Sequence, residues 1–126
     1  MKILSIVSTA FRATLEENDD AALWLSLALV KEGAELSLLF RGNAVIYTLQ
    51  RRNPNVVEVP ELDLKTAWLP QTQVQTALEL GVACYSVRED MLARGMDPTG
   101  VSAGVVCIAE PDVADLVQEH DSLWHW

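Results

Sequence analysis

Basic residues are scarce in this chain: 9 Lys and Arg stand against 18 Asp and Glu, a formal net charge of -9. That balance repels phosphate backbones, and the longest basic cluster is the pair Arg51 and Arg52, so nucleic acid is not an expected partner. Cysteine is nearly absent too. Cys84 and Cys107 lie within β-branched runs at a separation that matches neither a disulfide framework nor a metal-ligand spacing, which makes reduced thiols the default. The two histidines, His120 and His125, have no second ligand at metal spacing, so no metal is expected and both read as structural. No GxGxxG follows the first apolar run and no GxxxxGK(S/T) occurs anywhere, which removes the usual dinucleotide and triphosphate cradles and leaves no cofactor expected. Long hydrophobic runs are missing as well. The opening "MKILSIVSTAFR" holds a short apolar-rich run behind one lysine, too short to span a membrane and without the cleavage pattern of a signal peptide. The reading is a cytoplasmic protein with no membrane partner.

What remains is a globular composition, 50% hydrophobic and 21% charged over 126 residues, which suits one domain spanning 1–126. Short β-branched or leucine-rich runs alternate with helical segments, and that alternation predicts an α/β fold. Strands are expected over 2–8, 34–40, 82–87, 104–109 and 122–126, with an edge strand at 56–59 also open. Helices are expected over 19–32, 43–52, 70–81, 88–95 and 111–120, the first capped by Asn18 and carrying Asp19 and Asp20 as a solvated acidic start. Right-handed crossovers fold such a series into a three-layer domain, an open, mostly parallel five-stranded sheet with helices on both faces. Sites on such sheets form at the carboxyl ends of the strands. That edge gathers Arg12, Arg41, Asn43 and Arg88, where guanidinium groups suit an anionic ligand or a partner's carboxylates, although solvated arginines are the plainer reading.

Helix 19–32 departs from simple amphipathicity. Ala21, Ala22, Leu23, Trp24, Leu25, Leu27, Ala28, Leu29 and Val30 leave almost no polar face. One sheet covers one side, so either a neighbouring subunit or the 53–69 loop must cover the other, with roughly 1.5 to 3 kcal/mol at stake per large side chain left wet. Cys84 poses the chemical question. Within "VACYSVRED" it is either a small apolar residue whose thiol burial renders inert, or a nucleophile activated by Arg88 and the helix start beside it. Alternation puts Cys84, Ser86 and Arg88 on one side if the strand persists, while Cys107 in "GVVCIA" reads as enclosed.

The segments "KILSIVSTAFRAT", "LSLLFRGNAVIYTL", "GVACYSVREDMLARGM" and "AEPDVADLVQEHDSLWHW", in that order, resemble the DsrE/DsrF/DsrH-like sulfur-relay superfamily, which includes the TusB, TusC and TusD proteins. The more specific pieces are "REDMLARG" and the tail "EHDSLWHW". The resemblance implies a compact α/β sheet in a homo-oligomer, or in a hetero-oligomer with related sulfur-relay subunits, some of which carry persulfide sulfur on a cysteine. It places that cysteine six residues beyond the glycine that opens the strand, and here that position is Val87. Two readings stay open beside a small-ligand-binding α/β module: a structural or docking subunit of a sulfur-relay assembly, and a sulfurtransferase or sulfur carrier with Cys84 as persulfide acceptor.

Overall fold

The structure, a computed structural model, describes residues 1–10, 20–50 and 70–126. Strands β1 (Lys2–Val7), β2 (Glu35–Phe40), β3 (Cys84–Val87), β4 (Val106–Ile108) and β5 (Ser122–His125) form one sheet in the order β4-β3-β2-β1-β5. Every neighbouring pair is parallel. Between the strands run helices α1 (Ala21–Lys31), α2 (Pro70–Glu79), α3 (Arg88–Ala93) and α4 (Val113–Gln118). This is the open α/β sheet that the alternation of runs predicts. β1 sits inside it and is buried from Ile3 to Val7, as two-sided apolarity requires of a parallel strand covered above and below.

The register sorts the side chains into two cores. Ile3, Val7, Leu36, Leu38, Phe40 and Cys84 point to one face, where Ala22, Leu23 and Leu27 of α1 and Val74 and Ala77 of α2 cover them. Leu4, Ile6, Leu39 and Val87 point to the other, against Val113 and Leu116 of α4. Fully buried leucines, valines and Phe40 each contribute roughly 1.5 to 3 kcal/mol by area, an upper estimate because the unfolded chain is partly compact.

Two expected helices change form. Residues 42–48 make a 3₁₀ helix rather than the start of an α-helix, and Leu49 leaves it extended to bridge Val101. The cause is local: Val45, Ile46, Tyr47 and Thr48 are β-branched or aromatic, and the Thr48 hydroxyl donates to the Val45 carbonyl at 2.6 Å, three residues back. The segment expected as helix over 111–120 likewise opens with a 3₁₀ turn at Glu110–Asp112 before α4. Arg12, Asn18, Asp19 and the edge strand considered at 56–59 lie outside the described residues.

The acidic start of α1 is not a solvated cap. Asp20 is fully buried and is itself the N-cap: Oδ1 accepts from the Ala22 N–H at 2.9 Å, and Oδ2 accepts from the Tyr47 hydroxyl at 2.8 Å. Gln73 of α2 completes the junction, its Oε1 accepting from the Asp20 N–H at 2.9 Å and its Nε2 donating to the Asp20 carbonyl at 3.3 Å. One carboxylate thus joins α1 to the 3₁₀ segment, and the amide of Gln73 ties α2 to the same residue. Burial of the Asp20 charge is tolerated because both oxygens have donors. Asp20→Ala removes the cap and these bonds together, and is expected to cost about 2 to 4 kcal/mol in urea unfolding; a loss below about 0.5 kcal/mol would contradict the assigned role.

Candidate functional site at the carboxyl edge of the sheet

β3 delivers the residues around which the sulfur question turns. Cys84 is 1% exposed, and burial pushes its thiol up to about 12. Relative to a free thiol, that cuts the thiolate present at neutral pH about a thousandfold. Its Sγ lies 3.6 Å from the Val82 carbonyl, within the apolar core beside α1 and α2. Val87, at the strand-to-helix corner, is fully buried on the opposite face.

The alignment of Cys84, Ser86 and Arg88 on one side fails, because α3 begins directly at Arg88 and the strand does not persist. Arg88 is exposed, and its charge acts on Cys107, not on Cys84. Nor is Cys107 enclosed. It lies on the short edge strand β4, half-buried, next to a Val106 that is 51% exposed. Its Sγ is 3.5 Å from the Pro98 carbonyl and 3.9 Å from Met91 Sδ. Desolvation raises the Cys107 pKa while the Arg88 guanidinium lowers it, and desolvation is the larger effect. Of the two thiols, the one in the edge strand is the more accessible.

The polar groups at this edge hold one another. Asp90 Oδ2 accepts from the Gly42 N–H at 2.7 Å, and Glu89 Oε2 accepts from the Glu110 N–H at 2.7 Å. The acidic residues of α3 therefore satisfy the first donors of two neighbouring 3₁₀ turns. Arg94 Nε donates to Asn43 Oδ1 at 2.9 Å, and Arg41 pairs with Glu110 at 2.8 Å. Gly42 is required at its position: φ is +56°, and a Cβ there would meet the Ser8 carbonyl oxygen at 3.2 Å. Arg41, Asn43 and Arg88 do stand at the carboxyl edge, but the first two are occupied by protein partners, and Arg12 lies outside the described residues. Glu89, Asp90, Arg94 and Glu110 were not singled out by the sequence reading. The signal was an acidic pair directly after a strand, which suits a helix dipole equally well.

The tail closes the other end of the edge. Trp126 Nε1 donates to Ser5 Oγ at 3.1 Å, Ser5 shares a 3.1 Å bond with Ser26 Oγ, and Ser26 donates to the Ala22 carbonyl at 2.8 Å. Each hydroxyl has one proton, so the chain of donors runs from Trp126 through Ser5 and Ser26 to the Ala22 carbonyl. Ser8 Oγ lies 2.7 Å from His125 Nε2 and 3.1 Å from the Trp126 carbonyl. The carbonyl only accepts, so with both bonds formed the Ser8 proton is committed to it and Nε2 is the donor. That pair is a latch, not a nucleophile with its base. Among the described residues, no group of three His, Cys, Asp or Glu could hold a metal ion, and no helix is long and apolar enough to cross a membrane.

No family model matches the chain, and no curated protein matches it. Among solved structures, the fold is similar to that of the ychN protein from E. coli, with a TM-score of 0.76 and 17% sequence identity, over 99% of this chain and 98% of that one. At that identity the likeness is one of fold.

Native-state alkylation is expected to reach Cys107 at least about tenfold faster than Cys84, because Cys84 must wait for local opening. Arg88→Ala is expected to slow Cys107 and leave Cys84 unchanged; peptide mass mapping separates the two sites. The buried thiol also sets a pH dependence. From the unfolded thiol's pKa near 8.5 up to the folded value of about 12, the unfolded chain gives up a proton that the folded chain keeps, so stability falls as pH rises through that window. Below it the thiol is protonated in both states and adds no slope. Cys84→Ala is expected to shrink the stability lost between about pH 9 and pH 11 by on the order of 2 kcal/mol in urea unfolding.

Proposed function

We propose that this protein is a structural or docking subunit of an intracellular sulfur-relay (persulfide transfer) assembly, in which the transferred sulfur rests on a cysteine of another subunit. The observation that carries the reading is the corner of β3. There the sequence resemblance calls for a cysteine, and the chain has Val87 with its side chain fully buried. The thiol three residues earlier is buried and held protonated, which supports a packing role for Cys84. The alternative, Cys84 as persulfide acceptor, needs local opening of the core face before a donor can reach the sulfur.

A docking role needs a surface, and α1 offers one. Ala21, Trp24, Leu25 and Ala28 follow the i, i+3, i+4, i+7 spacing of a single helical stripe. Ala21 is exposed, Trp24 is 59% exposed, and Leu25 and Ala28 are half-buried. An indole left this wet suits a protein interface, where tryptophan often dominates the energy. The partner in this reading is a second copy or a related sulfur-relay subunit.

The test is affinity purification of the tagged chain from its own cells, with the co-purifying chains identified and the mass measured by light scattering. A stable assembly that contains a related subunit with an accessible cysteine is expected. Trp24→Glu should weaken it by about thirtyfold or more, since a lone carboxylate in a dry interface has no partner. A parent that is monomeric at micromolar concentration and brings no such subunit down would contradict the proposal.

A further inference from the structure

The amino edge of the sheet, opposite the interlocked carboxyl edge, contains a cavity of about 390 Å³. It sits beside a step between strands: β2 begins at Glu35, whereas its pairing with β3 begins at Leu38 and Cys84, leaving Glu35–Ser37 without a strand neighbour on that side among the described residues. The volume is within the range of small-ligand sites, which combine apolar walls with a few polar groups. Val30, Leu36, Leu80 and Val82 supply the walls, and Leu80 is left 44% exposed by the folded chain.

The polar lining is rich in acceptors. Among the described residues, neither Glu35 nor Glu119 has a cation within ion-pair distance. His120 adds a third acceptor. Its Nδ1 lies 2.7 Å from the Leu116 carbonyl, which only accepts, so Nδ1 bears the proton and Nε2 keeps its lone pair while the ring is neutral. Tyr85 contributes an aromatic ring to the same lining, a surface to which cations are attracted. Among the described residues Lys2 is the one cation of the lining, and it pairs with neither carboxylate. The net charge of -9 favours cation approach from a distance.

We infer that this cavity binds a cation carried on an apolar stem, an alkylammonium group placed among Glu35, Glu119 and His120 with its stem along Leu36, Leu80 and Val82. The same chemistry is present in a free amine and in the lysine side chain of a partner protein. The inference is independent of the sulfur-relay reading, since it concerns the opposite edge of the sheet and neither cysteine.

The test is a two-dimensional amide NMR titration of the full chain with hexylammonium and, separately, with hexanol as its neutral counterpart. Hexylammonium is expected to give saturable shifts at Gly81, Val82, Ala83 and Glu119, with hexanol binding about tenfold or more weakly. The double variant Glu35→Gln, Glu119→Gln should lose that discrimination, and both positions are exposed, so folding is not at risk. Lys2→Met should bind hexylammonium more tightly, because it removes the competing cation. A blocked tripeptide with a central lysine identifies the source. If it binds the same amides more tightly than hexylammonium, a partner's lysine is the natural ligand, and the reverse order identifies a free amine. Equal affinity for the alcohol, unsaturable shifts spread over carboxylates outside the cavity, or unchanged binding by the double variant would overturn the inference.

Discussion

A parallel sheet covered on both faces leaves little water for the side chains of its inner strands, and that dryness governs the chemistry available to this molecule. β3 lies between β2 and β4, with α1 and α2 packed over one face and α4 over the other. A thiol there is held protonated because burial denies its anion solvent. A valine at the corner extends the apolar surface to the last residue of the strand. The same dryness makes the satisfied polar groups decisive. Asp20 is tolerated because both oxygens have donors, and Ser5 and Ser26 because each passes its one proton onward.

The two edges of the sheet differ in their polar partners. At the carboxyl edge, where α/β proteins usually bind ligands, Glu89, Asp90, Arg94 and Glu110 are engaged with neighbouring turns. The exposed Arg41–Glu110 pair adds at most about 1 kcal/mol, so the bonds from Asp90 and Glu89 to backbone N–H groups matter more in fixing the loops. At the amino edge, Glu35 and Glu119 have no such partners among the described residues, and a step in the sheet leaves space beside them.

The fold was legible in the sequence because its signals are local and repeated. Two-sided apolarity in "ILSIV" marks an inner parallel strand, and Gly33 and Gly81 stand where α1 and α2 end, each in the left-handed region. The 3₁₀ helix at 42–48 was less legible, since it depends on a hydroxyl-to-carbonyl bond that the sequence does not announce. The site was hardest to read. Asp20 looks like any acidic helix start until Tyr47 and Gln73 arrive from distant segments, and Cys84 and Cys107 sit in equally apolar runs although one strand is interior and the other is an edge. Strand order, not composition, separates the two thiols.

The proposed role requires that Cys84 not carry the transferred sulfur. Its most direct measurement is persulfide loading of the native protein by a persulfidated donor, followed by mass mapping of each cysteine. The account predicts that Cys84 gains no sulfur atom while the protein stays folded, and gains it once urea opens the core. Fast loading of Cys84 in the native state, abolished by Cys84→Ser and passed on to a second thiol, would contradict it.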